Sequence, residues 1–298
     1  MHIYLPIAQV SIDLFTLLGL GFIVGILSGM FGVGGGFIMT PILFLMGIPP
    51  SIAVATQSSQ VVGTSTSGAL VHYQRKTIDY KMGFILLLGG VVGSAIGVKV
   101  FEWITSLGQI ETFVTAIYVI FLSLIGGLML YETLNSMRKK QIRKKRNPHK
   151  PLHHWPLKMR FQASRLYISA IPPILIGMCV GFLAAIMGVG GGFLLVPAMI
   201  YLIGMPVKTV IGTSMFQIIF VSAFTTIMHA TTTHSVDIVL ALILILGSIP
   251  GAQLGASFAH KLPAIQLRLG FSLVILLIVA KLLYGLVVTP NDIFGLTL

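Results

Sequence analysis

Apolar runs of about twenty residues dominate this sequence and leave few ways for it to fold. Of the 298 residues, 56% are hydrophobic and only 9% are charged. A water-soluble domain is closer to half apolar and a quarter charged, so this chain has too little polar surface to cover so large a core. The runs are long enough to cross a bilayer as helices. The composition therefore predicts an all-α polytopic membrane protein and excludes a soluble enzyme, a disordered chain and a disulfide scaffold.

One motif occurs twice in the chain. Gly-Val-Gly-Gly-Gly-Phe occupies residues 32–37 and recurs at residues 188–193. Downstream of each copy the same residue types follow in the same order, with one additional residue in the second copy before the aspartate of the matched pair Asp79/Asp237. Such self-similarity predicts two copies of one structural unit. The matched pairs are Pro41/Pro197, Thr56/Thr213, Gln60/Gln217, His72/His229, Asp79/Asp237, Gly89/Gly247, Gly93/Gly251 and Gly97/Gly255.

A basic stretch separates the two copies. Eleven of the 19 Lys and Arg residues fall between positions 135 and 165, a stretch that contains no Asp or Glu. We therefore predict a first transmembrane repeat over 1–134, a basic linker over 135–165 and a second transmembrane repeat over 166–298. Short loops rich in Lys and Arg stay on the cytoplasmic side of the cell membrane, where the linker would also contact anionic lipid. The linker has few aromatic residues, so nucleic-acid binding is not expected.

Each repeat contains five apolar segments, the second of which is short. A helix of about ten residues covers roughly 15 Å, so this segment crosses a bilayer only together with the extended glycines before it, or else it turns back as a re-entrant hairpin. Five crossings invert the second repeat and keep Arg75, Lys81 and Lys208 on the side of the linker. We predict this inverted arrangement, with both termini outside. The segments are approximately 12–31, 37–46, 52–71, 82–101 and 110–131, then 166–187, 193–203, 207–228, 238–258 and 267–288.

The glycine triplets carry the functional hypothesis. Three adjacent glycines break a helix, and non-helical backbone is tolerated at membrane depth only inside protein or beside a wet cavity. The short helix after the break begins with unpaired N–H groups that suit an anion. Two such breaks in inverted repeats are typical of transporters that bind substrate near the midplane. The glycines concerned are Gly34, Gly35, Gly36, Gly190, Gly191 and Gly192, whereas the spaced glycines 89, 93, 97, 247, 251 and 255 are expected to pack helices together.

Polar residues in the third segment of each repeat are expected to line the same cavity. Neutral hydroxyl and amide donors can bind a small anion without a buried cation, although hydrogen bonding between helices is the alternative role for each of them. His72 and His229 end these segments, where a titrating side chain could couple transport to protons or could serve only an interfacial structural role. The proposed lining residues are Thr56, Gln57, Gln60, Thr213, Ser214 and Gln217.

On these residues, the chain resembles the sulfite exporter TauE/SafE family of membrane permeases. The resemblance rests on the two glycine motifs, each followed by a proline, a Gly-x-Pro turn and an Ala/Gly-Thr helix start, and it covers the chain outside the linker. It implies an exporter of a small sulfur-containing anion such as sulfite, thiosulfate or sulfoacetate. It also implies that the glycines and the Thr and Gln pairs line the pathway. The long linker and the replacement of Gln57 by Ser214 in the second half-site depart from the usual pattern.

Other functional classes compete with a secondary transporter. An anion channel would use the same lining, and a non-transporting scaffold would act through the linker. An intramembrane enzyme would need an acid–base pair or a metal cluster, which the apolar segments do not offer. We therefore expect no catalytic residue, no cofactor and no metal, and we expect a small anion and membrane lipids as partners. The single cysteine, Cys179, lies in an apolar run and is expected to be a core thiol.

Overall fold

Ten α-helices and four short strands build the described part of the protein. The computed structural model describes residues 2–31, 35–138, 158–161, 163–164, 166–258 and 264–287. Each repeat opens with an antiparallel hairpin, which pairs β1 (His2–Leu5) with β2 (Val10–Asp13) and β3 (Lys158–Phe161) with β4 (Leu166–Ser169). The helices are α1 (Leu14–Phe31), α2 (Gly36–Leu45), α3 (Pro50–Gln74), α4 (Tyr80–Ser106), α5 (Ile110–Arg138), α6 (Ile171–Met187), α7 (Gly192–Ala198, continued by the π-helical turn Met199–Ile203), α8 (Val207–Thr232), α9 (Ile238–Phe258) and α10 (Ala264–Val287).

Every predicted apolar segment contains a helix, and the all-α polytopic architecture is confirmed. Four of the helices, α4, α5, α8 and α9, are long and apolar enough to cross a membrane by length and composition. The predicted start of the sixth segment is wrong, because residues 166–169 pair with β3 and helix α6 begins only at Ile171. Pro172 and Pro173 follow at once, in the first turn of the helix, where a missing N–H costs little.

The two repeats pack against each other through equivalent helices. Helix α1 lies against α9 and α6 lies against α4, while α3 contacts α8 and α5 contacts α10. A Cβ atom at Gly212, near the start of α8, would lie 3.1 Å from Cβ of His72, near the end of α3. Gly68 near the end of α3 likewise faces Met215 near the start of α8. The equivalent helices α3 and α8 therefore run antiparallel to each other.

Small residues bring facing helices into backbone contact. A Cβ atom at Gly25 of α1 would lie 2.8 Å from Cα of Ser248 in α9, and one at Gly93 of α4 would lie 2.9 Å from Cα of Met178 in α6. A backbone atom cannot move aside as a flexible side chain can, so glycine is required at these crossings. The predicted packing role is confirmed, because an added Cβ would meet main-chain atoms of the facing helix at Gly89, Gly93, Gly97, Gly247, Gly251 and Gly255.

The outer surface of the helices is apolar. Leu88, Leu246 and Leu277 expose about two thirds of their side chains, at 66%, 67% and 71%, as expected for helices whose solvent is hydrocarbon. Cys179 belongs to this surface and is exposed. The prediction of a core thiol is therefore wrong, because an apolar run does not distinguish a position that faces lipid from one that faces the core.

Candidate functional site

Both glycine motifs interrupt the helical chain. Helix α2 begins after Gly35, whose φ is 73°, and α7 begins after Gly191, whose φ is 74°. Gly188 and Gly190 share this left-handed conformation, which is costly for any residue that carries a Cβ. The predicted breaks are thus present in both repeats, and each is followed by a short helix. Gly35, Gly36, Gly190, Gly191 and Gly192 are all buried, while Gly34 lies outside the described residues.

The two motifs meet each other. A Cβ atom at Gly36 would lie 3.0 Å from the carbonyl oxygen of Gly188 and 3.0 Å from Cα of Val189. Immediately after the breaks, the rings of Phe37 and Phe193 stack with centroids 5.6 Å apart and planes inclined by 24°. We call the contact between the residues 35–36 and 188–191 the glycine junction. It brings the starts of α2 and α7 side by side.

Side chains of α3 and α8 close the glycine junction. A Cβ atom at Gly36 would lie 2.8 Å from Cγ2 of Val61 in α3. One at Gly190 would lie 3.0 Å from Cγ2 of Ile218 and 3.1 Å from Oγ of Ser222, both in α8. The helices that carry the predicted polar lining are therefore the ones that face the junction.

Several polar atoms on α3 and α8 are buried and have no hydrogen-bond partner among the described residues. Buried polar groups are nearly always paired, and an unpaired one costs about 1–3 kcal/mol. Because open donors and open acceptors occur together, this region offers hydrogen bonds to a polar occupant. The atoms are Gln57 Oε1, Gln60 Nε2, Ser65 Oγ, Ser67 Oγ, Gln217 Oε1, Gln217 Nε2 and Ser222 Oγ.

The glutamines of the two repeats differ in their surroundings. In α3, Nε2 of Gln57 donates to Oε1 of Gln60, so one amide positions the other and leaves Nε2 of Gln60 open. In α8, Gln217 lies beside α4, where a Cβ atom at Gly90 would lie 2.6 Å from its Nε2. The absence of a side chain at Gly90 makes room for the Gln217 amide. The two repeats thus present similar glutamine amides, but only in α3 is one amide held by a hydrogen bond from another.

The predicted hydroxyl residues already have protein partners. Oγ1 of Thr56 accepts the backbone N–H of Asp237 at 3.0 Å, and Oγ1 of Thr213 accepts that of Asp79 at 2.9 Å. Oγ of Ser214 donates to the carbonyl oxygen of Ile211 at 2.9 Å. These three side chains therefore link or brace helices one turn before the glutamines, and their contact with substrate stays a prediction.

Two buried aspartates tie each repeat to the hairpin of the other. Asp237 caps α9 by accepting the N–H of Leu240 at 3.1 Å, and its other oxygen accepts the N–H groups of Ile7 and Ala8 from the first hairpin. Such side-chain acceptors satisfy the open amides of a helix start. We call each aspartate, with its threonine and its hairpin, an aspartate clamp.

The second aspartate clamp repeats this pattern with the halves exchanged. Asp79 caps α4 by accepting the N–H of Met82 at 3.1 Å. Its other oxygen accepts the N–H of Ser164 at 3.1 Å and also the hydroxyl of Ser164, from the second hairpin. The matched clamps show that the repeat extends into the hairpins, which the paired motifs alone do not reveal.

The two histidines have partners outside the open polar atoms. Nδ1 of His72 lies 3.0 Å from Oγ1 of Thr77 in the turn after α3. His229 is fully buried, with Nε2 3.0 Å from the carbonyl oxygen of Ala185 and its ring edge-on to Phe101. The structure therefore places both rings in structural contacts, and a role in proton coupling stays a prediction.

Two hydroxyl groups belong to the candidate site although the proposed lining residues do not include them. Ser222 lies against Gly190, and both Ser65 and Ser222 are buried with open Oγ atoms. The alignment that pairs Thr56 with Thr213 also pairs Ser65 with Ser222. Equivalence between the repeats is thus the signal that identifies them.

Charge is distributed unevenly around the candidate site. Among the described residues, the buried ionisable side chains include Asp79 and Asp237 but no lysine or arginine. In the same part of the chain, no three His, Cys, Asp or Glu side chains cluster closely enough to hold a metal ion. The candidate site therefore presents neutral hydrogen-bond donors and main-chain amides, which are the groups that bind an anion without a counter-charge.

This fold defines a class of protein, namely a polytopic helical membrane protein with a broken helix in each of two packed repeats. The chain belongs to the sulfite exporter TauE/SafE family, whose model matches residues 17–282. Its relatives in that family are named as probable membrane transporter proteins, which supports a membrane transporter.

The relatives cover nearly the whole chain. The Bacillus subtilis (strain 168) proteins "Probable membrane transporter protein YunE" and "Probable membrane transporter protein YjnA" are 31% and 28% identical; each alignment covers 89% of this chain, and they cover 95% and 97% of the respective relative. A "Probable membrane transporter protein" of Xylella fastidiosa (strain 9a5c) is 28% identical over 85% of this chain and 87% of its own length. No solved structure matches the chain.

Proposed function

We propose that this protein is a secondary transporter that exports a small sulfur-containing anion by alternating access of two inverted halves. The substrate candidates are sulfite, which the family description names, thiosulfate and an organosulfonate such as sulfoacetate. One observation carries the proposal: two helix breaks meet at the glycine junction, against the two helices whose buried amide and hydroxyl groups lack partners.

The packing of the helices supports inverted halves. Helix α3 and its equivalent α8 run antiparallel, and α1 runs parallel to α9 because Leu18, Phe22 and Ile26 lie against Gly247, Gly251 and Gly255 in turn. Two halves that pack through equivalent faces in opposite directions can rock about a shared centre. The glycine junction lies where such a movement leaves the substrate in place while the access changes side.

Topology follows from the same arrangement. With the linker in the cytoplasm, the turn after α3 and the second hairpin face the cytoplasm, while the first hairpin and the turn after α8 face outside. Arg75, Lys76 and Lys81 then lie inside, in accord with the positive-inside rule. The cell membrane is the proposed location.

The decisive experiment measures transport by the purified protein in liposomes. Vesicles are loaded with radiolabelled sulfite, and efflux is compared between the parent, Gly191→Leu and the matched control Gly127→Leu, at a position where an added Cβ atom meets nothing within 4 Å. We expect saturable efflux that unlabelled sulfite on the far side accelerates. We also expect Gly191→Leu to lose it and Gly127→Leu to retain it. Melting temperature and gel filtration identify variants that are folded.

Two alternatives predict different results. A channel would give efflux that does not saturate and that counter-substrate does not accelerate. A scaffold that acts through the linker would give no efflux at all, and deletion of residues 139–150 would abolish its cellular effect. We expect the same deletion to leave efflux in liposomes unchanged. Full efflux by a folded Gly191→Leu variant would remove the site from the proposal.

A further inference from the structure

We infer that the transport site selects anions that carry a single negative charge and rejects dianions of similar size. This inference rests on the proposed function, since it names the charge of the substrate taken by the same site. The observations that carry it are the neutral donors around the glycine junction, the described cations outside the core, and the two buried aspartates.

The donors are neutral and fully buried. Gln60, Gln217 and Ser222 are at most 1% exposed, and each keeps an open polar atom. Ser222 faces the left-handed backbone of Gly190, next to the start of α2. Amide and hydroxyl donors supply hydrogen bonds to anion oxygens, but they supply no full positive charge.

The described cations lie on the surface of the protein. Within the residues whose exposure the structure defines, Arg75, Lys81, Lys99, Arg160 and Lys281 are all exposed. An anion at the glycine junction therefore has no lysine or arginine of the described core within reach of a charge-assisted hydrogen bond, which is the stronger kind.

The aspartate clamps join a buried aspartate to each of the two helices that carry the glutamines. Asp237 binds Thr56, one helical turn before Gln60, and Asp79 binds Thr213, one turn before Gln217. Each carboxyl group accepts hydrogen bonds from the start of its helix and from the hairpin of the other repeat. Their repulsion of an anion grows in proportion to the charge of that anion.

Desolvation acts in the same direction and more steeply. The Born cost of removing an ion from water rises as the square of its charge, so a dianion costs about four times as much as a monoanion of equal size. The hydrogen bonds from neutral donors strengthen less than fourfold when the charge of the anion doubles. The balance therefore favours hydrogen sulfite and monovalent sulfonates over the sulfite dianion, thiosulfate and doubly charged sulfoacetate.

The test uses two probes of similar shape and different charge. Methanesulfonate is a monoanion and sulfate is a dianion near neutral pH. At one fixed pH, which holds His72, His229 and both aspartates in constant states, each probe is titrated against the purified full-length protein. The readouts are the melting temperature in detergent and inhibition of radiolabelled sulfite efflux from liposomes. We expect sulfate to act at least about tenfold more weakly than methanesulfonate, which corresponds to 1.4 kcal/mol.

A cation introduced at the site provides the converse test. Gln217→Lys places an ammonium group beside the open donors, and Ser106→Lys adds the same charge at an exposed end of α4. We expect Gln217→Lys to reduce the preference for methanesulfonate and Ser106→Lys to leave it unchanged. Gln60→Lys is the second variant should the first not fold.

The outcomes separate the two proposals. Equal potency of sulfate and methanesulfonate on the parent protein would overturn the charge selection and leave transport intact. A melting shift with methanesulfonate but no sulfite efflux would overturn the transporter and support the charge selection. No response to either anion would overturn both.

Discussion

The backbone N–H of Asp237 donates to Oγ1 of Thr56 over 3.0 Å, across a sequence separation of 181 residues. Its counterpart joins Asp79 to Thr213 over 2.9 Å. In each aspartate clamp the carboxylate also holds the hairpin of the opposite repeat. Since the aspartate and the threonine of each clamp are buried, the clamps fix how the two halves meet.

Thr213→Val is expected to destabilise the protein. The change keeps the shape of the side chain but leaves the N–H of Asp79 buried without an acceptor, at a cost of about 1–3 kcal/mol. The measurement is the melting temperature in detergent. Thr66→Val is the matched control, because Thr66 is exposed and its hydroxyl bonds only to Val62 within α3. Equal melting temperatures for the two variants would contradict the role of the clamp.

Gly93→Ala and Gly127→Ala are expected to have opposite effects on stability. A methyl group at Gly93 meets the main chain of Met178, whereas one at Gly127 meets nothing within 4 Å. The first change separates α4 from α6 and lowers the melting temperature. The second should leave it unchanged or raise it, since alanine is favoured over glycine in a helix by about 1 kcal/mol. A harmless Gly93→Ala would show that the two helices do not approach so closely in the membrane.

Cysteines introduced as Lys76→Cys and His234→Cys are expected to react with a reagent from opposite sides of the membrane. The two residues occupy equivalent turns, are both exposed, and share positive φ values of 52° and 49°. The variants are made in a protein without Cys179. In intact cells a membrane-impermeant maleimide should modify His234→Cys, whereas Lys76→Cys should react only after the cells are opened. Labelling of both from the outside would rule out the inverted arrangement.

Ser222→Ala is expected to impair transport without a loss of stability. Its Oγ is buried without a partner, so its removal relieves a penalty rather than breaking a hydrogen bond. We expect an unchanged or higher melting temperature together with a higher KM for sulfite. Ser272→Ala is the control, because that buried hydroxyl bonds to Leu269 at 2.8 Å and its loss should lower stability and spare transport. Normal sulfite transport kinetics in Ser222→Ala would exclude the Ser222 hydroxyl from the site.

Much of the fold follows from apolar periodicity and the repeat. The segments, the breaks at the glycine triplets and the close packing at Gly93 and Gly251 all rest on local properties of the residues. The hairpins do not, because residues 166–169 are as apolar as a helix start and only their pairing with β3 makes them a strand. Cys179 shows the same limit, since apolar character does not reveal which way a side chain faces.

The candidate site could be predicted only in part. The glutamines of α3 and α8 are evident as polar residues in apolar segments, and in the structure each keeps at least one amide atom without a partner. Thr56 and Thr213 are also polar residues in apolar segments, so the sequence does not set them apart from the glutamines. In the structure, however, their hydroxyl oxygens accept backbone N–H groups from residues more than a hundred positions away. A long-range partner has no local signature, so sequence alone does not separate a braced hydroxyl from an open one.

The exchange of hairpins between the halves also sets the order in which the protein can mature. The first hairpin is synthesised before the second repeat, but the carboxylate that secures Ile7 and Ala8 belongs to Asp237. Until the ribosome has delivered Asp237, the N–H groups of Ile7 and Ala8 lack this acceptor. In the same way, Asp79 at the start of α4 lacks the Ser164 contact until the second hairpin has been made. Each half therefore completes the hydrogen bonds of its hairpin only when the other half is present.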